Sequence, residues 1–139
     1  MSLQQGSLIR DEALKVTKSL PAGNATTVTT GIDLGHSANG QPPRLELLME
    51  VPALTEAELG NSATLKLEVY HDTAVAFGTE GSLYGTPNLT VTGSGGAAAA
   101  SKRVALPTNV GRYVRVKATT ASNPGNAATS DLTVTLIPQ

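Results

Sequence analysis

The amino-acid sequence predicts an all-β fold, an antiparallel β-sandwich, on three observations. Several stretches alternate apolar and polar residues with a period of two, as a strand with one buried face does. Clusters of glycine, proline and asparagine bound these stretches and are typical of turns. No stretch makes a convincing long helix. Many short alternating segments between turns favour a sandwich of two packed sheets.

The clearest strand is predicted at residues 112–119. Its two faces differ in chemistry, because alternate residues are small and apolar on one side and polar on the other. The apolar side would comprise Val114, Val116 and Ala118. The polar side would comprise Tyr113, Arg115, Lys117 and Thr119. We therefore expect the first set in the core and the second at the surface.

The remaining strands follow from the same alternation. Residues 8–20 fit either a helical stripe or an extended arm, and the alternation at residues 15–18 favours the extended form. Further predicted strands are residues 26–34 with Gly31 as a bulge position, 44–51, 63–70, 88–92, 102–106 and 130–137. Residues 71–100 are the least regular part of the chain and contain only short apolar pieces, such as residues 74–77. Within this part, the low-complexity run 93–100 predicts a mobile loop.

These elements give about seven or eight strands. The long connections between them favour a jelly-roll or Greek-key topology over a simple meander. We assign residues 1–20 to an N-terminal arm or first strand and residues 21–139 to a single β-sandwich domain.

Composition excludes several classes of partner. The chain has no cysteine and a net charge of −1, so we expect no disulfide, no nucleic-acid partner and no membrane partner. It has no tryptophan and a single phenylalanine, so the core must consist mainly of Leu, Val, Ile and Ala side chains.

No motif for catalysis or metal binding is complete. His36 and His71 are the only histidines, and two distant histidines without cysteines do not make a zinc site. Ser94 lies in a glycine run rather than in a nucleophile elbow, and no lysine follows that run as in a phosphate loop. We therefore predict that the protein is not an enzyme and that it holds no metal or cofactor.

Basic residues are concentrated near the C-terminus. Residues 100–139 contain five of the ten basic residues and one of the eleven acidic ones. Two interpretations stay open. The cations could pair across strands with Glu46, Glu50 or Glu68. Alternatively, they could form a basic patch for an acidic partner, in which case the candidate contact residues are Arg103, Arg112 and Arg115.

Several segments, in order, resemble a known family. The stretch Val110-Gly111-Arg112-Tyr113-Val114-Arg115-Val116 is similar to a strand of the small capsid cement (decoration) proteins of tailed bacteriophages, which are of jelly-roll type. The resemblance extends over about residues 8–139. Its other parts are Ile32-Asp33-Leu34-Gly35, Leu45-Glu46-Leu47, Thr64-Leu65-Lys66-Leu67 and Asp131-Leu132-Thr133-Val134.

The resemblance implies a structural virion protein. Such proteins bind the exterior of an icosahedral head, as dimers or trimers, and cement major capsid protein subunits against internal DNA pressure. It also implies a location on the outer capsid surface after synthesis in the host cytoplasm, which suits a chain without cysteine.

The resemblance transfers no contact residue, so the contact residues are predicted from physical arguments. We expect an N-terminal arm to reach a neighbouring subunit through Leu8, Ile9, Arg10 and Leu14. The alternative function is a ligand- or glycan-binding β-sandwich module on a phage or cell surface. It would need exposed aromatic platforms, for which only Tyr70, Tyr84 and Tyr113 are available.

Overall fold

The computed structural model describes residues 14–35 and 45–138. Ten β-strands and no helix make up the secondary structure of these residues. In chain order they are β1 (Lys15–Ser19), β2 (Thr26–Val28), β3 (Ile32–Asp33), β4 (Leu45–Val51), β5 (Thr64–Asp72), β6 (Gly81–Ser82), β7 (Leu89–Thr92), β8 (Ala100–Ala105), β9 (Tyr113–Ala121) and β10 (Asp131–Pro138).

The strands form two antiparallel sheets. The first sheet has the order β1-β10-β4-β8. In the second sheet β9 and β5 are the central strands; β2 and β3 both pair with β9, and β6 and β7 both pair with β5. Every pairing between strands is antiparallel.

The connectivity is that of a jelly roll. Because β2 and β3 share one position, as do β6 and β7, ten strands occupy eight positions. Numbered along the chain, these positions read 1-8-3-6 in the first sheet and 2-7-4-5 in the second. This double Greek key confirms the predicted fold class and strand number.

The core lies between the sheets and follows the predicted alternation. The inward side chains of the central strands are buried. They are Leu45, Leu47, Met49 and Val51 of β4; Leu65, Leu67 and Val69 of β5; Val114, Val116 and Ala118 of β9; and Leu132, Val134 and Leu136 of β10. Each of the larger side chains stabilises the fold by about 1.5–3 kcal/mol through removal from water.

One predicted strand is broken in two. Residues 26–34 form β2 and β3, and the interruption begins at Thr29 rather than at Gly31. The Thr29 amide donates to the carbonyl of Val116, while the Thr29 hydroxyl accepts from the Val116 amide, each at 3.0 Å. The Thr29 hydroxyl oxygen thus takes the place of a backbone carbonyl as the acceptor for the Val116 amide. The buried amide stays hydrogen-bonded although the chain turns away from β9 at this point.

The first strand belongs to the sandwich itself. All five residues of β1 pair with β10, and Leu20, which follows β1, is buried in the core. The described part of residues 1–20 is therefore a strand of the domain rather than a separate arm.

The low-complexity loop at residues 93–100 is tied to the body of the protein, contrary to the predicted mobility. Ala97 and Leu54 exchange two backbone hydrogen bonds of 2.8 Å. Gly93 lies against the neighbouring loop that contains Gly60. A Cβ atom at position 93 would approach the Gly60 carbonyl oxygen to 2.1 Å. Only glycine permits this contact, which explains one of the glycines in that run.

Asn123 connects the loops at the same end of the sandwich. Its side chain is buried, its oxygen accepts from the amides of Gly60 and Gly125, and its nitrogen donates to the Glu58 carbonyl, all at 3.0 Å. One side chain therefore satisfies three backbone groups from two different loops.

Candidate docking surfaces

The described residues hold no cluster of three or more metal-ligating side chains. His71 lies on β5, where its Nδ1 accepts a hydrogen bond of 2.9 Å from the Gly111 amide. His36 lies outside the described residues. Nothing in residues 14–35 and 45–138 is a helix that could cross a membrane.

The three predicted basic contact residues do not share a surface. Arg103 lies on the outer face of the first sheet, opposite Leu48, and its guanidinium is 3.4 Å from Glu46. Arg112 and Arg115 belong to the second sheet. Arg112 immediately precedes β9, and Arg115 lies within it. Because the sheets pack face to face, their outer faces point in opposite directions. Whether any of the three contacts a capsid stays a prediction.

The arginines of the second sheet are engaged within the chain. Arg112 donates to both carboxylate oxygens of Asp33, at 2.8 and 3.0 Å, and this partner raises the pKa of the guanidinium. Arg115 lies 2.7 Å from Glu80. One interpretation of the sequence had these cations pair across strands with Glu46, Glu50 or Glu68. The ion pair between Arg103 and Glu46 agrees with that interpretation.

Of the predicted arm residues, the structure describes only Leu14. Its side chain packs against the core, and its carbonyl accepts a hydrogen bond from the Leu136 amide. Leu14 thus packs within its own sandwich. Leu8, Ile9 and Arg10 lie outside the described residues.

Glu80 fastens a loop onto the outer face of the second sheet. Its carboxylate lies 2.7 Å from Arg115 and 2.5 Å from Lys117, two outward residues of β9. Burial raises the pKa of Glu80, but the hydrogen bonds and charges of Lys117 and Arg115 outweigh it and lower the pKa below its usual value. Its side chain is 16% exposed, so these ion pairs are less screened than ordinary surface pairs.

Asp72 shapes the first part of this loop, residues 73–80. Its carboxylate accepts hydrogen bonds from the amides of Thr73, Ala74 and Thr79, at 2.6, 3.3 and 2.8 Å, and from the Thr79 hydroxyl. The bond from the Thr79 amide contributes most to lowering the pKa of Asp72, against the opposing effect of burial. A buried carboxylate with this many donors fixes the path of the loop.

Phe77 anchors the other side of the 73–80 loop. Its backbone adopts a left-handed φ of 54°, which is uncommon for a bulky residue. The ring is buried between the Arg115 guanidinium, 4.2 Å from its centroid, and the backbone of Gly31. A Cβ at Gly31 would come within 2.6 Å of the ring, so a larger residue at this position would displace Phe77.

The loop displays an apolar tip. Val75 is 69% exposed, and Ala74 and Ala76 beside it are exposed as well. The sequence shows only a short apolar piece at residues 74–77, with no reason to place Phe77 inward and Val75 outward. A signal was present in Asp72-Thr73, because aspartate commonly accepts from the backbone amides that follow it.

Cations lie over two of the three tyrosine rings, while Tyr84 is 37% exposed. The Lys117 ammonium lies 4.1 Å from the centre of the Tyr70 ring, and the Arg112 guanidinium lies 5.3 Å from that of Tyr113. The Tyr84 hydroxyl donates to the Ala105 carbonyl, and burial raises the pKa of this phenol. Cations therefore occupy the sites above two of the three possible stacking platforms.

A second surface lies on the outer face of the first sheet. A shallow groove of about 520 Å³ crosses β1, β10, β4 and the start of β8. Its charged lining consists of Lys15, Glu50 and Asp131, with Thr133 between them. None of these three charged side chains forms an ion pair with another described residue.

Comparison of the sequence with known protein families gives no match, and comparison with curated proteins gives none either. Comparison of the structure with solved structures finds weak similarities in fold. A carbohydrate-binding domain, CBM36-1 of a multidomain xylanase from the hindgut metagenome of Trinervitermes trinervoides, is 11% identical with a TM-score of 0.38. The match covers 84% of this chain and 74% of that domain.

Viral capsid proteins are also among the similar structures. The structure of Broad bean stain virus matches with a TM-score of 0.47 at 9% identity, over 91% of this chain and 84% of that chain. The VP2 subviral particle of infectious bursal disease virus matches with a TM-score of 0.44 at 15% identity, over 89% of this chain but only 30% of the viral chain. At such low identities these likenesses concern the fold alone.

Proposed function

We propose that this chain is a structural virion protein that binds the exterior of an icosahedral phage head and cements major capsid protein subunits. One observation supports the proposal above others. The sequence segments that resemble cement proteins fall on the four central strands of the jelly roll, β4, β5, β9 and β10, and on β3, which pairs with β9.

Two of these segments also meet side by side. Asp33 is the register partner of Tyr113, the Leu34 amide donates to the Arg112 carbonyl, and the Arg112 side chain grips the Asp33 carboxylate. The Ile32–Gly35 and Val110–Val116 segments, 79 residues apart at the ion pair, therefore act as one structural unit.

The 73–80 loop suits a protein that adheres to a shell. An adhesive contact gains affinity when its surface is already ordered, because no ordering entropy is lost on binding. Asp72, Phe77 and Glu80 hold the loop in place and present Val75 to solvent. We expect this apolar tip to contact the capsid exterior. If several such contacts form at once on a head, their modest individual affinities combine into tight overall binding.

The glycan-binding alternative is less well supported. Sugar recognition relies on exposed aromatic faces, and cations cover the rings of Tyr70 and Tyr113. Binding of the protein to glycans but not to heads would favour this alternative.

The test is binding to purified, expanded heads that lack the protein. We expect saturable, stoichiometric binding by co-sedimentation. The V75D variant should bind about tenfold more weakly or worse, because burying a valine contributes about 1.5–3 kcal/mol and a buried charge is unfavourable. T90D places the same charge at another exposed position and should bind as the wild type does. Failure of the wild-type protein to bind expanded heads would contradict the proposed function.

The arm prediction can be tested in the same assay. Deletion of residues 1–13 should reduce head binding if Leu8, Ile9 and Arg10 reach a neighbour. The deletion should stop before Leu14, because that residue packs on the core and bonds to Leu136. Unchanged occupancy of the heads, with an unchanged unfolding temperature, would exclude the arm from docking.

A further inference from the structure

The first sheet ends on one side at β1, and the outer edge of this strand has no partner strand among residues 14–35 and 45–138. β1 pairs only with β10. Backbone hydrogen bonds to β10 continue on both sides of β1. The Leu136 amide donates to the Leu14 carbonyl at 3.1 Å, and the Leu20 amide donates to the Ser130 carbonyl at 2.9 Å. Both flanking residues of β1 therefore direct their backbone groups toward β10.

The register decides which backbone groups of β1 are free. In an antiparallel ladder, residues that bond to the partner strand alternate with residues whose amides and carbonyls point away from it. Because the flanking residues bond to β10, Val16 and Lys18 do so as well. The backbone groups of Lys15, Thr17 and Ser19 therefore point away from the sheet. They form a row of donors and acceptors that repeats every second residue, about 6.8 Å apart.

The other sheet edges are shorter or partly capped. The outer strands of the second sheet are β2, β3, β6 and β7, and none exceeds four residues. The opposite edge of the first sheet is β8. The Leu106 amide donates to the Leu45 carbonyl, so the adjacent Ala105 points outward, and its carbonyl accepts from the Tyr84 hydroxyl. Short strands and caps of this kind discourage pairing with another chain. β1 therefore has the most complete row of free backbone groups in the described part of the protein.

The side chains of β1 define the kind of strand that fits beside it. Lys15 and Lys18 are exposed and form no ion pair with another described residue. β1 contains no acidic residue. Val16 is half-buried and packs against the core. A strand laid along this edge would extend the apolar layer beside Val16 with its inward side chains, and acidic side chains on it would lie near the two lysines.

We propose that the free edge of β1 is a strand-addition site for an extended segment of another protein that alternates apolar and acidic residues. Main-chain hydrogen bonds would supply the affinity, and the lysines would supply the preference for acidic segments. Charge complementarity favours this occupant over a second copy, because two adjacent β1 strands would bring four lysines together without an acidic residue in either strand. The site is independent of the proposed function.

The experiment follows the backbone amides of the isotopically labelled full chain by NMR during titration with a short synthetic peptide of alternating valine and glutamate. We expect saturable shifts of the Lys15, Thr17 and Ser19 amides, with a dissociation constant on the order of 1 mM for so short a contact. Hydrogen exchange at these amides should slow about tenfold near saturation. A peptide with lysine in place of glutamate should bind about threefold more weakly or worse, because like charges then meet.

Proline substitution tests the edge without removing a hydrogen bond of the sheet. The Thr17 amide points away from β10, so T17P deletes only an outward donor, at a position where edge strands tolerate proline. T17P should weaken binding of the glutamate peptide about tenfold. S101P makes the same change on the outer edge of β8 and should bind as the wild type does. Unfolding temperatures would establish that both variants are folded.

The K15E/K18E variant tests the charge preference with every backbone donor in place. It should bind the lysine peptide more tightly than the glutamate peptide, the reverse of the wild type. The proposal would be overturned if millimolar peptide left the three outward amides of β1 unshifted, or if T17P bound as the wild type does. Slow exchange at these amides in the free protein would also overturn it, because the edge would then be occupied by this chain itself or by a second copy.

Discussion

Single residues in and beside the 73–80 loop fix a surface that alternation could not predict. Alternation correctly placed Val114, Val116 and Ala118 in the core. It could not place Asp72 or Phe77, because their roles depend on the path of a loop rather than on a strand's period. Asp72 is buried because backbone donors surround it, and Phe77 is buried because Gly31 leaves space for its ring.

Asp72 should make the stability of the protein depend on pH. Its folded-state pKa is lowered, so its contribution is complete above the unfolded value of about 3.9 and is lost as the pH falls through the folded value. Glu80 and Glu58, whose pKa values are also lowered, act in the same direction. We expect the unfolding temperature to fall as the pH drops from about 5 to 3.

The D72N variant isolates the contribution of this carboxylate. It should be less stable than the wild type at pH 7, and the two unfolding curves should converge in acid, because a protonated Asp72 loses the same advantage. Hydrogen exchange at the amides of Thr73 and Thr79 should accelerate in the variant. A constant difference in unfolding temperature at every pH would exclude this role for Asp72.

At the scale of elements, strands were predictable and loop contacts were not. The predicted strands 44–51, 63–70 and 130–137 match β4, β5 and β10 to within two residues, because a buried face enforces the period of two. The loop at residues 93–100 contains small residues that could signal mobility. Contacts with distant segments hold it instead, as Ala97 pairs with Leu54.

Asn123 should be important for the stability of this end of the sandwich. N123A would leave the Gly60 amide, the Gly125 amide and the Glu58 carbonyl without their partner. We expect a loss of about 2–4 kcal/mol in the free energy of unfolding, measured with urea. N61A removes an exposed asparagine that bonds to Gly95 and Glu56 and should cost less than about 1 kcal/mol. Equal losses of unfolding free energy in N123A and N61A would contradict this role of Asn123 in holding the loops together.

At the scale of the whole molecule, the sequence predicted the jelly roll but not the distribution of its charges. The residues Arg103 and Arg115 are close in the chain, yet the topology assigns β8 to one sheet and β9 to the other. The basic patch predicted from their closeness in the sequence therefore does not form, because these arginines lie on opposite outer faces of the sandwich. In the same way Lys15 and Glu50 come together although 35 positions separate them, because β10 lies between β1 and β4.

The mechanical role can be measured on heads filled with DNA. Heads that lack the protein would be subjected to osmotic shock with and without added wild-type protein, and retained DNA would be quantified by nuclease protection. If the jelly roll cements the shell, heads at saturating occupancy should retain their DNA under shocks that empty bare heads, and V75D at the same concentration should protect less. Full decoration with no gain in DNA retention would contradict the account.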